Sequence, residues 1–399
     1  MEDRKPSDTT VTPIDLETFG VSEEFGFVLE DPLTDLPEYY RPWMDLAADI
    51  TCLTETHQLR DKVKEMPLLS TQYLRSHREQ RLAHLALSFI TMGYVWQEGQ
   101  GQPAKVLPQQ LAVPYCAVSD ALGLPPILVY ADCVLANWKL KDPTKNLDTL
   151  FTFPGAETCK GFFLVSLLVE KAASTGMKVT YGIVTAMNSL QTHSTDRLQE
   201  ALVMVTQSLR RMKECFQLMH LLMQRLQCGS RWKDNPMLPE GLRYEGVFQE
   251  PLQFSGGSAA QSSAIQCFDA LLGVMQTDPS AGAFLKRMHD YMLPPHRALI
   301  QTISHSPPLR SYVLLVGDSH LARTYNTCVS QMVELRDYHL NMVARYITVP
   351  GNRAQAAARG CPLRGIGSAL DKQGTGGSNP LLFLKAVRDS TRGAFIHIS

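Results

Sequence analysis

The stretch VELRDYHLNMVARYI, residues 333–347, has the spacing of one buried helix, and a histidine occupies one position of its apolar face. Leu335, His339, Met342 and Tyr346 follow one another at steps of four, three and four residues. Side chains at these steps lie on the same side of an α-helix. The stretch therefore predicts a helix that buries this face, and it raises the question of what the imidazole does there.

Helical periodicity also characterises most other apolar stretches of the 399-residue chain, and no hairpin turn is flanked by alternating apolar residues. Leu82, Leu85, Phe89 and Met92 share one helix face, and glycines at positions 99 and 101 are expected to end that helix. The stretch CKGFFLVSLLVEKAAS, from Cys159, is apolar nearly all round its centre, which is typical of a fully buried helix. The sequence predicts an all-α fold.

Turn-forming residues indicate where other helices begin and end. Two short helices are predicted on either side of Pro125 and Pro126, because proline stops one helix and opens the next. Ser258 and Gln261 have capping-box spacing at the start of another helix, with Phe268 on its inner face.

Longer elements are predicted in the second half of the chain. Residues 196–226 have the pattern of an amphipathic helix, and residues 228–257 that of an extended connection rich in Gly, Pro and Asn. Residues 319–349, which contain the opening stretch, predict a helix about 45 Å long at 1.5 Å per residue. Pro350-Gly351 stops this helix, and a short final helix is expected after GTGG at residues 374–377.

A polar segment, residues 139–156, predicts a linker between two helical domains of unequal size. We expect a flexible tail at residues 1–22, a small domain at residues 23–153 and a large domain at residues 154–399. Within the large domain, residues 350–377 are expected to form a mobile loop.

The composition favours no charged partner and no membrane. The formal net charge is −1, so no global field attracts nucleic acid or an anionic lipid surface. The N-terminal residues MEDRKPSDTTVTPIDLETFG lack the apolar segment of a secretory signal, and the apolar stretch from Gly161 has about half of the roughly 20 residues of a membrane span. We expect a soluble cytoplasmic monomer with neither nucleic-acid nor membrane partners.

Nine cysteines form no CxxC pair. In a chain with no secretion signal this pattern predicts reduced thiols. A structural zinc site is not expected, because it needs the paired spacing that is absent here.

His339 has two interpretations. A lone histidine on an apolar helix face is usually a core residue whose nitrogens are satisfied by neighbours. The alternative is a ligand of haem iron, since one neutral imidazole suffices where the macrocycle supplies four other ligands. One histidine cannot hold a bare metal ion.

Six motifs in order along the chain support the second interpretation: LPPILVYADCVLANW from Leu124, KGFFLVSLLVE from Lys160, FSGGSAAQSS from Phe254, PPHRA from Pro294, ELRDYHLNMV from Glu334 and GTGG from Gly374. Together they resemble the indoleamine 2,3-dioxygenases from Ser22 to Arg388. The stretches YRPWM, MPLLS, HREQRLAHL, VWQEG and EGVFQEP resemble the second vertebrate paralogue more than the first.

The resemblance implies an all-α fold in which haem b lies between a small N-terminal and a large C-terminal domain. It implies an enzyme that opens the indole ring of L-tryptophan and related indoleamines with O2 to give N-formylkynurenine, the first step of the kynurenine pathway. The iron is active as Fe2+, so a one-electron reductant is an expected partner, and a role in immune regulation is implied.

The resemblance also assigns site residues. His339 is the proximal haem ligand, and Arg336 and Asp269 lie near a haem propionate, although a helix-to-helix ion pair explains those two equally well. The expected catalytic residues are Phe162 and Ser166; a hydroxyl such as Ser166 can alternatively bond its own helix carbonyl. The remaining expected haem contacts are Tyr130, Cys133, Val134, Phe163, Phe216, Gly257, Ser258, Ala259 and Phe268.

The substrate is expected to contact Phe162, Ser258, Ala259 and Thr375, the last in the mobile GTGG loop. The sequence departs from the family at LLMQRLQCGSRW, residues 221–232, where a longer segment normally carries an arginine for the tryptophan carboxylate. Arg225 is the nearest candidate for this charge-assisted contact. The departure predicts low tryptophan affinity with haem binding retained.

Two tyrosines favour a different function. VPYCAV around Tyr115 and LRYEGV around Tyr244 both fit the pattern of immunoreceptor inhibitory motifs, which bind SH2 domains when phosphorylated. The alternative hypothesis is a catalytically weak haem-binding scaffold, with Tyr244 accessible to a kinase in a long loop. Oxygen carriage, as in myoglobins of this fold, is a third.

Overall fold

α-Helices dominate the protein in a computed structural model that describes residues 16–99, 102–141, 146–188, 195–219, 238–345 and 380–398. Turns, short 3-10 helices and two small pairs of strands connect the helices. The prediction of an all-α fold is confirmed.

The helices are numbered in chain order. They are α1 (Arg41–Ala48), α2 (Ile50–Glu55), α3 (Leu59–Glu65), α4 (His77–Trp96), α5 (Gln109–Leu122), α6 (Tyr130–Cys133), α7 (Ala156–Ala172), α8 (Ser174–Asn188), α9 (Thr195–Gln217), α10 (Ser263–Leu271), α11 (Pro279–Met288), α12 (Pro294–His305), α13 (Leu309–Val316), α14 (Ser319–Val343) and α15 (Pro380–Arg392). The 3-10 helices are Leu16–Phe19, Glu38–Tyr40, Thr71–Tyr73, Ala259–Gln261 and His289–Tyr291.

Helix α4 lies at the centre of the N-terminal part, where it contacts α1 and α5. A capping box begins it: the Ser76 hydroxyl accepts a bond from the Glu79 N–H, and the Glu79 carboxylate accepts one from the Ser76 N–H at 2.8 Å. It ends at Trp96, just before Gly99 takes a φ of +71°. The predicted inner face of this helix is buried.

The two helices expected around Pro125 and Pro126 differ from the prediction. Helix α5 ends at Leu122, because Gly123 adopts the left-handed conformation at φ +66° and turns the chain before either proline. Helix α6 is a single turn. A single turn has too few hydrogen bonds of its own to be stable, so tertiary contacts must hold it in place.

In the C-terminal part, α9 packs along α14 and against α7 and α8. Leu198, Leu202, Val205, Leu209 and Met212 form the buried stripe of α9, at the alternating steps of four and three that an amphipathic helix requires. The described helix ends at Gln217, and the rest of the predicted helix lies outside the described residues from residue 220 onward.

Helix α14 begins where the sequence predicts. Asp318 caps it, since its carboxylate accepts bonds from the N–H groups of His320 and Leu321 at 2.7 and 2.9 Å. Along its other side α14 packs against α15, the predicted final helix. The predicted end of α14 near residue 349 lies outside the described residues.

Two pairs of two-residue strands were not predicted. Strands β1 (Val106–Leu107) and β4 (Arg243–Tyr244) pair in parallel and join the connection before residue 257 to the segment that precedes α5. Strands β2 (Lys139–Leu140) and β3 (Leu147–Asp148) pair antiparallel within the predicted linker. Strands this short show no alternating pattern in the sequence.

One large hydrophobic cluster contains buried residues from both sides of residue 153, among them Trp43, Phe89, Phe268 and Tyr325. The division into domains at that residue stays a prediction. A second, smaller cluster of Val165, Met219 and Met342 lies where α7, α9 and α14 meet. In the part of the chain that the structure describes, every helix is too short or too polar to cross a membrane.

Candidate functional site

His339 lies on α14 in an aromatic environment. The ring of Phe216, from α9, stacks on the imidazole with centroids 5.5 Å apart and planes inclined by 20°. The side chain of His339 is partly buried. Burial, together with the nearby positive charge of Arg336, lowers the pKa of His339 to about 4. The imidazole is therefore neutral at pH 7 and keeps a lone pair for a ligand.

The second hydrophobic cluster surrounds this part of α14. Val165, Met219 and Met342 form its buried centre, and Phe162, Phe216 and Tyr338 pack against it. Phe162 and Phe216 thus pack against the same cluster, and Phe216 also stacks on His339. The sequence had singled out all three residues, which lie on three different helices. The arrangement is an apolar cluster with one imidazole beside it.

Arg336 and Asp269 form a buried ion pair one turn before His339. A guanidinium nitrogen of Arg336 donates to Asp269 Oδ2 at 2.6 Å, and the two residues are only 7% and 8% exposed. Arg336 also donates to the Thr391 hydroxyl on α15. Burial raises the pKa of Asp269 while Arg336 opposes that rise. The ion-pair interpretation is confirmed, and a role at a propionate stays a prediction.

Ser166 lies on α7, one turn after Phe162, and is 7% exposed. Many helix hydroxyls of this protein donate to the carbonyl four residues earlier, as Thr206 does to Leu202 at 2.8 Å. Within the described residues the Ser166 hydroxyl makes no such bond. The role of the Ser166 hydroxyl toward a ligand stays a prediction.

Helix α6 and the 256–259 segment lie side by side. Tyr130, Cys133 and Val134 are all buried. A Cβ added to Gly257 would lie 3.5 Å from Cys133 Sγ, so this glycine passes close to α6. The predicted haem contacts of these two segments, including Ser258 and Ala259, are therefore neighbours in space.

The predicted capping box of Ser258 and Gln261 is wrong. Ser258 caps only the 3-10 helix that follows it, whereas Ser262 caps α10 and accepts a bond from the Ile265 N–H at 3.3 Å. The Gln261 side chain instead accepts a bond from the Tyr130 N–H at 2.9 Å. Gln261 thus bonds to the distant Tyr130 N–H and not to the nearby N–H of Ser258 that a capping box would use.

Phe163 and Phe268 face the large hydrophobic cluster. The ring of Phe163 meets that of Phe89 edge-on at 6.1 Å. Phe268 is fully buried beside Gly176. Both residues therefore belong to the large hydrophobic cluster and not to the smaller cluster of Val165, Met219 and Met342 near His339.

A histidine, a serine and an aspartate also meet behind α6. His84 lies between Asp132 Oδ1 at 2.9 Å and Ser119 Oγ at 3.1 Å. All three residues are 0% exposed, so no substrate reaches the serine. Arg81 adds a bond to the Ala131 carbonyl at 2.7 Å. These contacts fix α6 in place.

The accessibility predicted for Tyr244 is wrong. Tyr244 lies in β4, is 0% exposed and donates its hydroxyl to the Pro126 carbonyl at 2.6 Å. Tyr115 is likewise 0% exposed on α5. Phosphorylation of either hydroxyl would first require local unfolding. Arg225, Thr375 and the predicted mobile loop at 350–377 lie outside the described residues.

Glu170 was missed by the sequence reasoning. It is 1% exposed on α7, and its Oε1 accepts bonds from the hydroxyls of Tyr130 and Ser262 at 3.0 and 2.5 Å. Burial raises the pKa of Glu170 to about 7, while these two bonds lower it. The available signal was a single carboxylate at the end of the apolar stretch KGFFLVSLLVE.

The donors at the site fit haem better than a bare ion. Among the described residues, no three His, Cys, Asp or Glu side chains are grouped so as to hold a metal. His339 offers one neutral nitrogen among aromatic and aliphatic side chains. A flat apolar macrocycle that brings its own four nitrogens matches this set, and Arg336 lies one turn away for an acidic substituent.

Known proteins resemble this chain over nearly its whole length. A family model described as indoleamine 2,3-dioxygenase matches residues 15–394. Human indoleamine 2,3-dioxygenase 2 is 47% identical over 411 residues, covering 100% of this chain and 99% of that protein. Rat indoleamine 2,3-dioxygenase 1 is 44% identical over 402 residues, with 96% of each covered. A myoglobin of Haliotis diversicolor is 36% identical over 386 residues, covering 95% and 98%.

These relatives confirm the family predicted from the six motifs and its second vertebrate paralogue as a near relative. The chain belongs to the indoleamine 2,3-dioxygenase family.

Proposed function

We propose that the protein is a haem-dependent dioxygenase that opens the indole ring of L-tryptophan and related indoleamines with O2 to give N-formylkynurenine. The observation that carries this proposal is His339, a neutral imidazole stacked on Phe216 in an apolar cluster of three helices. The membership of the chain in a dioxygenase family supports the same reaction.

Some of these residues would hold haem, and others would orient the substrate. His339 would ligate the iron, and the Arg336–Asp269 pair would face a propionate. When bound, haem supplies the redox chemistry by which O2 reacts with the indole ring. Phe162 offers an aromatic face to the indole, and the Ser166 hydroxyl lies one turn further along the same helix. The surrounding apolar side chains exclude water.

Finer features belong to the same proposal. The cofactor is haem b in the ferrous state, renewed by a one-electron reductant, and the protein works as a cytoplasmic monomer of two domains. Low tryptophan affinity is expected because residues 221–232 depart from the family pattern, which leaves Arg225 as the candidate for the carboxylate. Substrate contacts by Ser258, Ala259 and Thr375 are part of this proposal.

The test is to reconstitute the protein with haem, reduce it with ascorbate and methylene blue, and follow N-formylkynurenine absorbance over a wide range of L-tryptophan. We expect product that saturates only at high substrate. His339→Ala should lose haem and activity together. His320→Ala, an exposed histidine on the same helix, is the matched control and should retain both.

The alternatives give different outcomes in this assay. A wild-type protein that binds haem and O2 without forming product would refute the dioxygenase and favour oxygen carriage, the function in the name of the Haliotis relative. The phosphotyrosine hypothesis requires that a tyrosine kinase modify Tyr115 or Tyr244 in the folded protein and that an SH2 domain then bind it. The burial of both side chains argues against it.

A further inference from the structure

Glu170 joins three segments that the proposed reaction needs. Its Oε1 accepts one bond from Tyr130, the first residue of α6, and one from Ser262, the N-cap of α10. Glu170 itself lies on α7, one turn after Ser166. Residues four apart on a helix are neighbours on its surface. The carboxylate is therefore a junction of α6, α7 and α10 close to the proposed site.

A second contact closes the junction. Gln261 accepts a bond from the Tyr130 N–H at 2.9 Å and donates to the Gly256 carbonyl at 2.8 Å. The 256–262 segment is thus bound to α6 at the Tyr130 backbone, and Glu170 binds both to α7. Because α6 is a single turn, these bonds and the buried contacts behind it decide where Tyr130 and Cys133 lie.

Among the described residues, the carboxylate of Glu170 meets no cation. The ionisable groups facing it are Tyr130 from α6 and Cys267 from α10, and burial raises the pKa of each. The neighbouring Lys171 points elsewhere, with its ammonium 3.8 Å from the centroid of the Phe25 ring. Oε2 of Glu170 has no hydrogen-bond partner among the described residues. A buried acid so placed costs stability, which a purely structural position would avoid with an apolar or amide side chain.

We propose that Glu170 is a positioning residue of the reaction: its hydrogen bonds to Tyr130 and Ser262 hold α6 and the start of α10 against α7, and so shape the wall that the indole contacts. The inference rests on the proposed function, because that function assigns Tyr130, Cys133 and Ser166 to the site. Glu170 acts through Tyr130 and Ser262 and touches no reacting atom.

Two variants separate hydrogen bonding from volume. Glu170→Met keeps the length of the side chain and removes both bonds, whereas Glu170→Gln keeps an amide that can bond both hydroxyls. Glu157→Gln, at an exposed position in the first turn of α7, is the matched control. Each holoprotein is measured for KM and kcat with L-tryptophan at pH 6–8.5, and for the C–O stretching band of its ferrous carbon monoxide complex, which reports polar groups near the bound gas.

We expect Glu170→Met to raise KM roughly tenfold, as the loss of two buried hydrogen bonds allows, with kcat within about twofold, and to shift or broaden the C–O band. Glu170→Gln should restore both readouts at pH 6. The wild type and Glu157→Gln should show a change in KM and in the band between pH 6 and 8 that Glu170→Gln lacks. Unchanged readouts in Glu170→Met, or equal damage in both Glu170 variants, would overturn the proposal.

If Glu170→Met does not fold, the pH profiles decide: identical profiles for the wild type and Glu170→Gln would overturn the proposal. A wild type that binds haem but forms no product would refute the proposed function alone, since the C–O band still reports on Glu170. A wild type that binds no haem would refute both.

Discussion

Substitution of Gly176 by alanine tests how tightly α8 packs at the back of the site. A Cβ at this position would lie 2.7 Å from Ser208 Oγ on α9 and 2.8 Å from Phe268 Cζ on α10. Ordinary contacts between such atoms are about 3.5–4.0 Å, so the helices must move apart by roughly 1 Å. The Ser208 hydroxyl cannot rotate away freely, because it donates to the Ala172 carbonyl at 2.7 Å.

The size of the expected change in the free energy of unfolding follows from comparison with a matched variant in the same helix. Gly182 is exposed, and a Cβ there would have no heavy atom within 4 Å. Both substitutions gain about 1 kcal/mol of helix propensity. Only Gly176→Ala adds overpacking, which costs about 1–3 kcal/mol. The free energies of unfolding of the two variants should therefore differ by about 1–3 kcal/mol, with Gly182→Ala more stable than the wild type.

Urea denaturation of the haem-free proteins, followed by far-UV circular dichroism, measures this difference. Equal stability of the two variants, to within about 0.5 kcal/mol, would refute the close approach of α8 to α9 and α10. Because Phe268 directly precedes Asp269, we also expect weaker haem retention in Gly176→Ala alone.

The remaining predictions concern buried polar groups. Arg336→Ala leaves the Asp269 carboxylate buried without its partner, so the free energy of unfolding in urea should fall by about 3–5 kcal/mol; a loss under 1 kcal/mol would contradict the buried pair. Burial raises the pKa of Glu170 from 4.5 to about 7, so the folded state retains a proton there that the unfolded state releases as the pH passes 4.5. The free energy of unfolding of the wild type should therefore fall by about 3 kcal/mol because of this group as the pH rises through about 7. Relative to the wild type, Glu170→Gln should become more stable by that amount between pH 4.5 and 8. A stability difference in urea melts that stays constant over this range would exclude the raised pKa. Tyr244→Phe removes the bond to the Pro126 carbonyl and should cost about 1–3 kcal/mol, whereas an exposed tyrosine would give no change.

Local signals in the sequence were reliable where neighbouring residues decide the structure. The capping aspartate before α14, the glycine that follows the end of α4 and the stripe of α9 act within one or two turns, so helix identity and several ends were predictable. The position of His339 on a buried face also followed from spacing alone. Its proposed role as a ligand did not, because one imidazole in an apolar stripe has the same pattern whether or not it binds haem.

The contacts that surround the site depend on partners far away in the chain. Gln261 failed as a capping residue because the Tyr130 N–H, 131 residues earlier, took its side chain. Tyr244 is buried because it pairs with β1 and donates to a carbonyl 118 residues away. Glu170 meets Tyr130 across 40 residues and Ser262 across 92.

Sequence by itself determined the helical class, the family and the candidate ligand, since periodicity and ordered motifs are properties of the chain. Tertiary structure alone decided which polar groups are buried and what satisfies them, because a hydrogen bond between distant segments leaves no local pattern. The neutral imidazole, the Arg336–Asp269 pair and the Glu170 junction all arise in this way, from burial that removes water and leaves each polar group dependent on the partner that folding brings to it.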